Sequence, residues 1–454
     1  MTERVIRGAE VVFADGVRRV DVAIADGKIQ AIAPELPGGK DEIDATGLHL
    51  FPAVIDIHLH FNEPGRTEWE GAETGSKALA AGGGCAFFDM PLNSTPCTVN
   101  AREFDRKRAA LQAVSITDFG LWGGLIPGSL NDMPELAERG VVGFKAFMCD
   151  SGLPEFPRAD DDTLFAGLQQ AARLNLPVAV HAESQELTSA LSRQMLQQGR
   201  TSVRDFLASR PVTAEVEAIE RATQLAGQAN AKLHIVHISS GQGVVAAVEA
   251  KARGVDVSIE TCAHYLYFTE ADVERLGAVA KCAPPLRDRG QFDALWAQVL
   301  DGTVEVVASD HSPAPPEMKT GDFWKAWGGI AGVQSTLAVL LDQGFHRRKL
   351  SLERIADLLA GFPARRFRLA NKGSITVGND ADFVLVDLSK TNTLRESDLF
   401  QRHKFSPYVG NTFQGTVVET IRRGETIFKH GRITAQTPGS LTRPYTNVNG
   451  SHHV

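Results

Sequence analysis

The residues most able to do chemistry are four histidines, an aspartate and a lysine, each placed in or just after an apolar run. His58 and His60 stand in Asp56-Ile57-His58-Leu59-His60, which closes the run 54–57. Side chains alternate faces along a strand, so these two imidazoles point the same way. Imidazole suits zinc and similar borderline metals, although a lone His-x-His is as readily a satisfied or exposed pair. His181 follows the run 177–180, His237 lies in 233–238, and Asp310 follows 304–308. His234 precedes His237 by an odd step and reads as structural. These donors make most of a two-metal site but lack a shared anion to hold two dications close. Lys145, inside Gly143-Phe144-Lys145-Ala146-Phe147, could supply one. Burial lowers the pKa of an amine, and a neutral amine takes up carbon dioxide as a carbamate, whose two oxygens can bridge. The alternative is an ammonium paired with a neighbouring carboxylate.

Ligands drawn from so many runs need elements that converge. Short apolar runs at 54–57, 85–88, 117–121, 142–147, 177–180, 233–238, 256–260 and 304–308 alternate with helical stretches such as 163–175 and 214–229. Eight strands with intervening helices predict a (β/α)₈ TIM-type barrel of the α/β class, whose active sites lie at the C-terminal strand ends. A doubly wound open sheet is the alternative, but it gathers ligands around one point less naturally. Before and after the barrel the pattern is strand and turn, with turns at Asp15-Gly16 and Asp26-Gly27. We expect residues 51–371 to form the barrel, and residues 1–50 and 372–454 to share a small β-sandwich domain. The tail from Gly439 is polar and reads as mobile, and His452-His453 as an end effect rather than a metal site.

The bulk properties narrow the function. The chain has 454 residues, 43% hydrophobic and 22% charged, with net charge -8. Such a chain can bury a large core, and an acidic balance without a basic patch argues against nucleic acid. No signal region or apolar run of spanning length is present, so no membrane partner is expected and a cytoplasmic location is. Cys85, Cys97, Cys149, Cys262 and Cys282 are widely spaced and read as reduced thiols.

His58-x-His60, Lys145, His181, His237 and Asp310 occur in the order and strand placement of the amidohydrolase superfamily, which the chain resembles over nearly its whole length. The cyclic amidohydrolases (hydantoinases, dihydroorotases and allantoinases) look closest. Gly373-Ser374-Ile375-x-Val377-Gly378-x-Asp380-Ala381-Asp382 is similar to the family's return into its small domain, while Ala53 stands where the family usually has glycine. The loop from His60 to Gly71 resembles allantoinases in particular, because dihydroorotases carry arginine where Asn62 stands. Arginine suits a substrate carboxylate, and asparagine a neutral ureido group. Lys281-Cys282-Ala283-Pro284-Pro285-Leu286-Arg287 and Trp327-Gly328-Gly329-Ile330-Ala331-Gly332 are similar in the same way.

The resemblance implies two divalent metal ions, zinc first and otherwise cobalt, manganese or iron. His58, His60 and Asp310 would hold one, His181 and His237 the other, with N6-carboxylated Lys145 bridging. Asp310 would also carry the proton from the attacking water to the leaving ring nitrogen. It further implies Asn62, Asn93, Cys282 and Ser312 around the substrate, allantoin as that substrate in purine metabolism, and a homo-oligomer, tetramer or dimer. Arg66 would either recognise substrate or pair with Glu68 or Glu70. The rival readings are a hydantoinase or dihydropyrimidinase, a dihydroorotase-like enzyme, and a scaffold that has lost its chemistry.

Overall fold

The computed structural model describes residues 2–445, so His452 and His453 lie outside the described residues. Its centre is a ring of parallel strands: Val54–Leu59, Gly84–Asp89, Asp118–Leu121, Phe144–Phe147, Val178–His181, Leu233–Ile235, Val257–Cys262 and Val306–Ala308. Most are buried at every position, which is why they read as continuous apolar runs rather than alternating ones. The third strand breaks at Trp122 and resumes at Gly123–Gly124. The ring is completed by Val142 N–H donating to Leu121 O at 2.9 Å and His60 N–H to His311 O at 2.8 Å.

Helices pack outside the ring, among them Asp161–Arg173, Gln185–Gln197, Val212–Ala229 and Gly241–Ala252. Several begin immediately after a strand end that carries a candidate ligand. Ser184 and Ser240 accept from the backbone N–H groups of Leu187 and Gly243, capping the helices that follow His181 and His237. Such caps satisfy N–H groups that the helix itself leaves open, so the chain can turn sharply from strand to helix at the barrel mouth.

Both chain ends build one nine-stranded sheet. His49–Pro52 joins them, pairing parallel with Arg4–Phe13 and antiparallel with Phe383–Thr393. Asp41–Asp44 also pairs parallel with Arg4–Phe13, so this sheet is mixed rather than wholly antiparallel. Ile6, Val22, Leu50, Phe383 and Ile421 share its core.

The start of the tail departs from expectation. Phe119 N–H donates to Ser440 O at 3.0 Å, and Thr442 N–H to Phe119 O at 2.7 Å. Residues 439–442 therefore lie along the strand Asp118–Leu121 and use backbone groups it would otherwise leave open, while Tyr445 N–H donates to Arg368 O. Polarity suggested mobility, but backbone hydrogen bonding does not require apolar side chains.

Candidate active site

The C-terminal strand ends surround a cavity of about 500 Å³, lined by His58, His60, His181, His237 and Asp310. The first strand reaches it irregularly. Ile55 and Ile57 belong to the barrel-interior cluster, whereas Val54, Leu59 and Phe61 pack with the outer shell. The pairing register slips between Asp56 and Leu59, and this parity change sends His58 and His60 inward below the cavity. His237 and Asp310 lie just beyond their strands with φ of 41° and 42°. This conformation is costly outside glycine and concentrates at functional sites. Asn62 and Asn93 share it, at 63° and 69°, and asparagine tolerates it well.

Asp310 Oδ1 lies 3.3 Å from His58 Nε2 and 3.4 Å from His60 Nε2. The His237 ring is centred 5.3 Å from His58 and 4.6 Å from His181. A buried carboxylate sets the orientation on one side. Glu260 accepts from His58 Nδ1 at 2.7 Å, His234 Nε2 at 2.9 Å and the His237 backbone N–H at 3.0 Å. A carboxylate only accepts, so His58 Nδ1 carries a proton and Nε2 is the ring nitrogen that faces Asp310. On the other side His181 Nε2 meets Glu183 at 2.8 Å, and Arg210 holds that same oxygen at 2.6 Å.

The protonation states are those that bind metal. Burial lowers His60 to about 4 and pushes His237 well below the ordinary imidazole value, so both are neutral. Burial alone would raise Asp310, but His58 and His60 outweigh it and hold the carboxyl well below its ordinary range. Burial lowers Lys145 to about 8. Its Nζ has no hydrogen-bond partner, and among the described residues no carboxylate lies within ion-pairing distance of it. His60 Nδ1 and His237 Nδ1 are likewise buried without partners. Orphaned buried polar atoms carry a penalty that a ligand removes. Donors on His58, His60 and Asp310 lie within 4.8 Å of one another and could hold a metal ion. Imidazole and carboxylate are the ligand types expected for a catalytic divalent cation, so this donor set fits one.

The model of the Amidohydrolase family matches residues 49–427. The chain belongs to the amidohydrolase family. It is 66% identical to an allantoinase of Solibacter usitatus over 449 residues, covering 99% of this chain and 98% of that one. An allantoinase of Rubrobacter xylanophilus is 54% identical over 442 residues, with 97% of each chain covered. Among solved structures, the L-hydantoinase (dihydropyrimidinase) of Arthrobacter aurescens superposes with TM-score 0.95 at 31% identity, covering 98% of this chain and all of that one.

Within this amidohydrolase site the substrate-side expectations divide. Asn93, Cys282 and Ser312 line the cavity. Asn62 does not: it is fully buried, and its Nδ2 reaches only Pro313 O at 3.4 Å. Its Oδ1 is buried without a hydrogen-bond partner. Arg66 pairs with neither Glu68 nor Glu70; it holds Glu155 at 2.6 Å and donates to Asn93 O at 3.1 Å. Glu155 lies in a different loop, a contact that sequence spacing does not reveal.

Sequence reasoning also missed Glu260, Glu183 and His264. Glu260 is an acid inside the apolar strand Val257–Cys262, the same anomaly that singled out Lys145. Glu183 stands two residues after His181. His264 is buried with both ring nitrogens unpartnered, near Cys262 and Asp310.

Proposed function

We propose that this chain hydrolyses the cyclic amide bond of allantoin to give allantoate, with two divalent metal ions, zinc foremost, held by His58, His60, His181, His237 and Asp310. N6-carboxylated Lys145 is the proposed bridge. The supporting observation is the chemistry of the cavity wall, whose two more enclosed cations, Arg210 and Lys281, are satisfied by the protein itself. Arg210 is held by Glu183, and Lys281 donates to three backbone carbonyls. Lys325 is 86% exposed at its side chain. A substrate carboxylate held among the buried wall residues would find no free cation there, whereas Asn93, Ser312 and loop backbone offer neutral hydrogen bonds. This favours a neutral ureide over dihydroorotate, in keeping with the allantoinases among the relatives.

The metals, when bound, supply a water of lowered pKa and a polarised carbonyl. The protein's own part is orientation and proton transfer. Glu260 and Glu183 fix the imidazoles, Asn93 and Ser312 hold the ring, and Asp310 holds the proton of the attacking water at Oδ before passing it to the leaving ring nitrogen. The homo-oligomer expected from the resemblance is read by light scattering of the purified protein. The five free cysteines accord with a reducing cytoplasm, and among the described residues no helix is long and apolar enough to cross a membrane.

The test is hydrolysis of allantoin, hydantoin, dihydrouracil and dihydroorotate after incubation with divalent metal and bicarbonate. Allantoate as the dominant product is expected. Preference for hydantoin or dihydrouracil would overturn the substrate assignment in favour of a hydantoinase, as the structural neighbour from Arthrobacter aurescens is named. Lys145→Ala should lose bound metal and lose more activity than the ~10–100-fold typical of an outer partner. Short carboxylic acids should partly restore both. Wild-type metal content in that variant would remove Lys145 from the bridge.

A further inference from the structure

Residues 313–329 follow the strand end that carries Asp310 and close one side of the cavity through Trp324, Trp327 and Gly329. Two lysines outside the proposed chemistry hold this segment. Lys281 Nζ donates to the carbonyls of Phe323 at 2.7 Å, Trp324 at 3.1 Å and Ala326 at 2.6 Å. Lys319 Nζ donates to those of Ala278 at 3.3 Å, Trp327 at 2.9 Å and Gly329. An ammonium has three N–H donors, so each is fully used, and all acceptors but Ala278 lie within 323–329. Among the described residues no carboxylate lies within ion-pairing distance of either Nζ. Burying an ammonium without a counter-ion is costly, and a methionine would fill the same space without that penalty. What the ammonium adds is the ability to gather several carbonyls at one point and so dictate the path of the backbone.

Other ties share this wall: Trp327 N–H donates to Met318 O at 2.8 Å, and Phe206 packs edge-on against Phe323 and Trp324, with centroids 5.3 and 5.6 Å apart. Trp324 Nε1 reaches Ser202 O at 3.3 Å, and Trp69 meets Trp327 edge-on with centroids 4.8 Å apart. The far end is seated by Gly329, whose N–H donates to Lys281 O at 2.7 Å. Gly329 has φ +145°, and a Cβ there would fall 2.2 Å from Ser312 O. The wall thus rests directly on the backbone of a cavity residue, and a small displacement of 323–329 would move the surface that faces the substrate.

We infer that Lys281 and Lys319 are positioning residues for the hydrolysis: their ammonium groups gather the carbonyls of 323–329 and hold this wall over the substrate. They set affinity and water exclusion and leave proton transfer at Asp310 untouched. The inference rests on the proposed function only for its choice of substrate.

Lys281→Met and Lys319→Met keep the length and apolar stem and remove the donors. Each is expected to raise KM for allantoin about tenfold or more, to change kcat less than threefold, and to leave bound metal unchanged. Chymotrypsin should cut after Phe323, Trp324 or Trp327 several-fold faster in both variants. In Lys281→Ala, millimolar propylammonium should restore the protection while an equal concentration of sodium chloride does not. Protection and KM unchanged in Lys281→Met would overturn the inference, as would equal loss of kcat and KM effects with no rescue by the amine. The proteolysis readout needs no substrate, so a chain that hydrolyses hydantoin instead would sink the substrate assignment and leave this test intact. If Lys319→Met does not fold, the Lys281 variants carry the test.

Discussion

At the scale of single residues, the site depends on carboxylates that never reach the substrate. Glu260 serves His58, His234 and the His237 backbone at once. In Glu260→Gln an amide NH₂ must face a ring N–H, so one of these bonds is lost and the His58 tautomer is no longer imposed. Retention of metal against a chelator should fall about 10–100-fold, measured as bound metal after dialysis; unchanged retention would remove Glu260 from that role. Glu183 leads to a prediction about acid. Burial would raise it, but Arg210 and His181 prevail and hold it near 2, against an ordinary value of 4.5. A group whose folded pKa is depressed contributes stability that is complete above its unfolded pKa and lost as pH falls toward the folded one. Urea midpoints should therefore drop between about pH 4.5 and 2. In Glu183→Gln this part of the profile should flatten, while stability at pH 7 falls by less than the ~3–5 kcal/mol of a fully buried pair, because Arg210 is partly exposed to the cavity.

At the scale of elements, two backbone features decide more than propensity does. The slip in register between Asp56 and Leu59 changes which residues of the first strand face inward. Simple alternation from Val54 shows His58 and His60 on a common face, but only the slip makes it the cavity face rather than the outer one. The second feature is the tail. Its backbone bonds to Ser115, Phe119 and Arg368 take up groups at the edge of the barrel. Removing residues 439–454 should cost about 2–4 kcal/mol, at ~1 kcal/mol net for each lost bond. Chemical denaturation reads this, and KM should not change, since the described residues 439–445 hydrogen-bond to none of the cavity-lining residues. An unaltered denaturation curve would mean that these bonds are replaced by water without penalty.

At the scale of the whole molecule, a buried charge cluster fastens the barrel to the nine-stranded sheet. Lys372 Nζ reaches Asp382 at 2.6 Å, Asp380 at 2.9 Å and Asp118 at 3.1 Å, and Arg423 also grips Asp118. Asp118 begins its barrel strand, so the cluster sits at the end opposite the cavity. Its three aspartates keep Lys372 well above the ordinary lysine value despite burial. Lys372→Met leaves those carboxylates without their shared cation and should destabilise the chain by about 3–5 kcal/mol, with KM and bound metal near wild type. Loss of metal in that variant would show that the two parts of the molecule are coupled to the site.

The sequence by itself determined the barrel, the two-ended sheet and the convergence of His58, His60, His181, His237 and Asp310 on the cavity. Strand periodicity is local, and a buried strand announces itself as an apolar run with a polar residue at its end. His58, His60, His181, His237, Lys145 and Asp310 were legible because each interrupts such a run. Only the tertiary structure decided what those residues touch. Glu155 beside Arg66, Glu260 between His58 and His234, and Asn62 against Pro313 depend on loops and strands distant in the chain. So do the carbonyls gathered by Lys281 and Lys319. A side chain's type and its strand parity are written locally, whereas its partner is set by how far-apart segments close around the barrel mouth.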